Sequence, residues 1–177
     1  MKSLMKLSLA LFAAAMFLGL TTLTQADDAD LNKASITLDG VSLGTHVLGP
    51  KLEADDLRGK VVVFEYWGDQ CPPCIASIPS IVKLRSQYNT DELAIVANQV
   101  WTEKAEQTKK AWKLGGGDDS VTVINHGGLK GVAPEQSVPN AYVLDHTGKK
   151  IWEGNPHPRA GGKQMKKVIK KAVAAMP

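Results

Sequence analysis

The segment Gly59–Pro79, GKVVVFEYWGDQCPPCIASIP, decides how the chain is read. It opens on Val61-Val62-Val63-Phe64, a continuous run of β-branched and aromatic residues. Unbroken apolarity over so short a stretch predicts a central strand covered on both faces, from Lys60 to Tyr66. A helix is predicted to follow from Pro72 to Tyr88, with Ile75, Ile78, Val82 and Leu84 as its buried stripe. Pro72 and Pro73 suit its first turn, where N–H groups have no intrahelical partner. Pro79 falls inside it and is expected to kink it. Strand, turn and helix therefore carry Cys71 and Cys74 to the mouth of a helix.

These are the chain's two cysteines. A disulfide across two intervening residues closes almost no loop, so as a structural staple it would stabilise little. A structural zinc needs four ligands, and His46, His126, His146 and His157 are scattered along the chain. A redox role fits better. A helix N-terminus presents unpaired N–H groups and partial positive charge, which lower the pKa of a thiol held there. Cys71, at the mouth, is the expected nucleophile. Cys74, one turn inward, is the expected resolving cysteine, since exchange runs through a mixed disulfide. Neither Pro72 nor Pro73 can donate to the Cys71 sulfur, which predicts a less stabilised thiolate and a more reducing pair. Glu65 interrupts the apolar strand; a carboxyl buried there should have a raised pKa.

Outward from this segment, the N-terminus reads as an export signal. Lys2 and Lys6 precede an apolar run from Leu7 to Leu20, and Thr24-Gln25-Ala26 offers a cleavage point before Asp27-Asp28. Residues 1–26 are therefore expected to be a signal peptide and 27–177 a single domain. The run falls short of the ~20 residues of a spanning helix, so membrane anchoring is not expected. Lys+Arg against Asp+Glu is 21 to 18 in the whole chain and 19 to 18 without residues 1–26. That near-neutrality gives no reason to propose a nucleic acid partner. About 150 residues suffice for one domain with one core.

Further elements follow from pattern. Ala34–Leu38 and Val41–Val47, either side of Asp39-Gly40, predict an N-terminal β-hairpin. Lys51–Arg58 predicts a brief helical turn stopped by Gly59. Strands are predicted at Leu93–Val100, Val121–Ile124, Asn140–Asp145 and Lys149–Glu153. Helices are predicted at Glu103–Leu114 and Gly162–Ala175, the latter with Met165, Val168, Ile169, Ala172 and Val173 on one face. Asn125–Ser137 reads as a loop. The alternation predicts an α/β fold: a central mixed sheet with helices on both faces and the hairpin as an extension.

The segment resembles the thioredoxin superfamily and, within it, the extracytoplasmic TlpA/ResA-like proteins. The likeness extends from about Gly49 to Val173. Trp67 stands at the family's tryptophan position, Pro73 before the second cysteine, Pro79 at the kink position, and Val138-Pro139 at the cis-proline loop. The resemblance implies a thioredoxin-like fold and thiol–disulfide oxidoreductase activity, with no cofactor beyond the redox-active Cys71–Cys74 pair and no metal. It implies that Pro139 lies against the pair and that Val138 offers its backbone to an extended substrate. Trp67 and Gln70 would border the same surface. Glu65 aligns with the buried acid of thioredoxins, which implies a proton acceptor for Cys74. Three positions depart from the pattern. Gln70 replaces a bulky residue before Cys71, Ser77 stands where many relatives carry glutamate, and Asn140 stands where threonine is common.

The function expected is reduction of disulfides in exported proteins, in the periplasm or another extracytoplasmic space. Electrons would come from a membrane carrier or an exported thiol protein. A peroxiredoxin is disfavoured, because Gly68 stands where that chemistry needs threonine. The alternative of another class is a binding module that holds a partner protein, or a soft metal such as Cu(I), without turnover.

Overall fold

The computed structural model of the protein describes residues 36–132 and 137–177. The expected signal segment 1–26, and part of the strand expected at 34–38, lie outside the described residues. The strands are β1 (Thr45–Leu48), β2 (Val61–Trp67), β3 (Leu93–Gln99), β4 (Thr122–Asn125), β5 (Asn140–Leu144) and β6 (Lys150–Gly154). The helices are α1 (Pro72–Arg85), α2 (Ala105–Leu114) and α3 (Gly162–Val173), with a 3₁₀ turn at Ala54–Leu57. Gly59, at φ 77°, ends the segment after that turn in a conformation that favours glycine.

One six-stranded sheet runs β1-β4-β3-β2-β5-β6. β2, β3 and β4 are parallel to one another; β1, β5 and β6 pair antiparallel. Every residue of β2 and β3 is buried, as their apolar runs predict. Among the described residues, no helix is long and apolar enough to cross a membrane.

The mixed α/β sheet is as expected, but two details differ. The first is the placement of the helices. Val61, Val63 and Trp67 of β2 pack with Ile78, Ile81 and Leu84 of α1, Trp112 of α2, and Met165 and Ile169 of α3. All three α-helices thus cover one face. The other face, with Val62, Phe64 and Tyr66, is closed by Leu38, Leu129 and Leu57 of the 3₁₀ turn. The reason is topological. The steps β2-α1-β3 and β3-α2-β4 cross the sheet in the same direction, and right-handed crossovers then put both helices on the same side.

The second is the N-terminal hairpin. The turn at Asp39-Gly40 exists, with Val41 N–H donating to Leu38 O at 3.1 Å. Its two arms do not pair with each other among the described residues. Thr37 bridges to Lys149 and Ser42 to Gly128, while β1 covers the free edge of β4. An exposed strand edge is a stronger claimant for β1 than a short hairpin partner.

Helix α1 runs unbroken through Pro79 to Arg85. Ile78 and Leu84 are buried as predicted, Ile75 and Val82 are half-buried, and Ile81 joins the stripe. Arg85 fastens its end to β3, donating to Leu93 O at 2.7 Å and to Tyr88 O at 2.9 Å.

Candidate active site

The parallel strands β2, β3 and β4 end together, and the chemistry-bearing residues gather at that end. Trp67, Gln99 and Asn125 are register partners across the three strands. Asn140, at the start of antiparallel β5, pairs with Tyr66 beside them. The loop after β2 delivers Cys71, and the loop before β5 delivers Val138 and Pro139, joined by a cis peptide bond.

Cys71 is the N-cap of α1, and Cys74 is its third residue. They are joined in a disulfide, with Cα atoms 5.2 Å apart. The Cys71 sulfur does the work of a capping oxygen, accepting the Cys74 N–H at 3.3 Å. Pro72 and Pro73 have no N–H, so Cys74 supplies the one first-turn donor to that sulfur. Cys71 is 4% exposed and Cys74 0%, so the sulfur expected to be reachable is the less covered of the two.

Glu65 lies on the helix-covered face of β2, 1% exposed. Burial pushes its carboxyl up from 4.5 to about 8, against a smaller opposing effect of a hydrogen bond from Ser77. Ser77 Oγ lies 3.2 Å from Glu65 Oε1 and 2.7 Å from the carbonyl oxygen of Cys74. One hydroxyl proton cannot serve both acceptors. A neutral Glu65 can donate to Ser77 while Ser77 donates to the Cys74 carbonyl; when Glu65 ionises the Ser77 proton turns to it, and that bond to the charged form holds the pKa below what burial alone would set. Glu65 Oε2 has no partner among the described residues.

Trp67 was expected at the substrate surface and is instead 1% exposed, with its ring 5.6 Å from that of Trp112. Strand alternation turns it inward under α2, where it supports the active-site loop from beneath. Gln70 is exposed beside Cys71, and Val138 is half-buried. Asn140 donates to Tyr142 Oη at 3.2 Å.

Sequence reading missed Ser77 as the partner of Glu65, and it missed Gln99. The buried Gln99 accepts the N–H groups of Trp101 at 2.7 Å and Thr102 at 3.0 Å, fixing the loop after β3. The signal that exposed Glu65, a polar residue inside a buried apolar run, also stands at Asn98 and Gln99. Asp69, next to the cysteines, is held by Gln107 of α2. Gln70, Ile75, Ala111 and Leu114 border a groove of about 410 Å³ between α1 and α2.

No protein-family model matches the chain. The thioredoxin-like protein YneN of Bacillus subtilis is 32% identical over 101 residues, which span 56% of this chain and 59% of that protein. The thiol–disulfide oxidoreductase ResA of Bacillus thuringiensis is 28% identical over 146 residues, 73% of this chain and 75% of that one. Among solved structures, a secreted thiol–disulfide isomerase of Corynebacterium glutamicum superposes with a TM-score of 0.61 at 17% identity, over 74% of this chain and 82% of that one. At that identity the likeness speaks for the fold alone. Taken with the two sequence relatives, it makes this chain similar to the thioredoxin-like thiol–disulfide oxidoreductases, ResA among them, and gives it their fold.

Proposed function

We propose that the protein exchanges disulfides with exported proteins, as a reductase, through Cys71 and Cys74. The observation that carries this reading is the Cys71 sulfur seated as the N-cap of α1 with the Cys74 N–H aimed at it. A thiolate formed there gains a charge-assisted hydrogen bond and the helix's partial positive charge. In the reduced protein, Cys71 thiolate attacks one sulfur of a client disulfide. The client S–S bond breaks, a mixed disulfide forms, and the second client sulfur leaves as a thiolate that takes a proton. Cys74, as thiolate, then attacks Cys71, the mixed disulfide breaks, and the first client sulfur leaves. The client has gained two electrons, and Cys71–Cys74 is the disulfide.

Glu65 is the proposed proton acceptor for Cys74. A carboxyl raised to about 8 lies close to the ordinary thiol value of ~8.5, so transfer between them is nearly balanced. Ser77 joins the Glu65 carboxyl to the Cys74 backbone and holds it in place. Val138 and Pro139, at the same end of the sheet, are the proposed substrate track, with Gln70 at its border. The sequence of residues 1–26 supports export, and the Corynebacterium relative in fold is a secreted protein. A membrane or exported thiol carrier would return Cys71–Cys74 to the dithiol.

The test is a Cys74→Ser variant expressed in an exporting host. Mixed disulfides with client proteins should accumulate through Cys71 and vanish in the Cys71→Ser/Cys74→Ser double variant. Their absence, with a soft metal or partner retained, would favour the binding module instead.

A further inference from the structure

Trp101 is the exposed aromatic residue nearest in structure to the active-site loop. It is 48% exposed, yet it is not loose. Its backbone N–H is held by Gln99, which is fully buried, at 2.7 Å, and the preceding Val100 N–H donates to Trp67 O at 3.0 Å. Its six-membered ring packs against Gly68: a Cβ built on Gly68 would overlap the Cε3, Cδ2 and Cζ3 atoms of the indole. Gly68 has no left-handed backbone to justify glycine. Its lack of a side chain is what seats the indole. Gly68 O in turn accepts the Cys71 N–H at 3.2 Å. A buried amide and a glycine thus fix one half-exposed ring against the loop that leads to Cys71.

We propose that Trp101 is a client-contact residue: it receives an apolar side chain flanking the client cysteine in an extended polypeptide. This rests on the exchange reading above and adds the substrate class. A client cysteine joined to Cys71 is tethered, so its neighbouring residues meet Trp101 at high effective concentration. A rigid tryptophan offers a large apolar area at little cost in side-chain freedom. Gln70, the polar residue directly before Cys71, supplies no such surface, so the aromatic contact comes from the loop after β3.

The test uses the reduced protein and two disulfide-bridged peptides of equal length, one with leucine and phenylalanine beside its cysteines, the other with serine. Glutathione disulfide, which has no flanking side chains to dock, is the third substrate. The wild type should prefer the apolar peptide. Trp101→Ala should lower kcat/KM for that peptide by about tenfold, the scale of a buried tryptophan contact. It should leave glutathione exchange within about twofold. Trp101→Phe, which keeps a ring on Gly68, should restore most of the preference. A preference that survives in Trp101→Ala, a loss shared equally with glutathione, or a loss that follows Leu114→Ser instead overturns the proposal. The same peptides with serine for cysteine read contact without exchange: binding by the wild type and not by Trp101→Ala supports it, and equal binding counts against it. Failure of the wild type with glutathione disulfide tells against the exchange reading and leaves the contact to the binding arm.

Discussion

The two faces of β2 treat buried polar groups in opposite ways. On the face closed by loops and the 3₁₀ turn, they are satisfied. Tyr66 Oη accepts the Leu129 N–H at 2.8 Å, and Asn98 exchanges two 2.8 Å bonds with the backbone of Gly127. On the face covered by the α-helices, Glu65 Oε2, Trp67 Nε1, Gln99 Nε2 and Asn125 Nδ2 are buried without partners among the described residues. Each such group costs about 1–3 kcal/mol of desolvation. The costs gather in the layer beneath the cysteines. That is where a protein optimised for stability alone would have put aliphatic residues, and where exchange chemistry needs a proton acceptor and a fixed loop.

Removing the titratable carboxyl from the costly face should have the largest effect. The folded protein holds the Glu65 proton to about pH 8, whereas the unfolded chain releases it near 4.5. Below pH 4.5 both states are protonated and the group is neutral to stability. Between these values the unfolded state alone gains by ionising, so stability falls as pH rises and levels off above 8. The loss is on the order of 5 kcal/mol across that window. Glu65→Gln should abolish that slope, read by urea unfolding from pH 4 to 9, and should slow the resolution step near neutral pH. A variant whose unfolding slope matches the wild type would show that the two faces do not differ in this way.

Breaking the satisfied face should act on stability alone. Asn98→Ala strands the N–H and C=O of Gly127, for an expected cost of about 2–3 kcal/mol with glutathione exchange unchanged. A fall in exchange as large as the fall in stability would mean the faces are coupled. The smallest effect is expected at Ser77→Ala. Loss of the bond that lowers the Glu65 pKa should raise it further, by less than burial does, moving the alkaline arm of the pH–rate profile upward.

Much of the cysteine layer was legible in Gly59–Pro79. Period and apolarity placed β2 and α1, the prolines marked the first helical turn, and Glu65 stood out as an acid in an apolar run. Each of those signals is local. The partners were not legible, because they lie far apart in sequence: Ser77 is twelve residues from Glu65, and Gly127 is 29 from Asn98. Trp67 shows the same limit. Its motif pointed to a surface role, but strand alternation and the cover of Trp112 bury it.

The sequence by itself determined the order of strands and helices and the place of the Cys71–Cys74 pair at the mouth of α1. These follow from short-range backbone preferences and from the chemistry of a helix N-terminus. The tertiary structure alone decided that all three α-helices share one face, that β1 closes the β4 edge instead of a hairpin, and that Trp101 rests on Gly68 in the loop leading to Cys71. Those outcomes depend on which surfaces remain uncovered once β2, β3 and β4 have paired, and no local stretch of the chain encodes that.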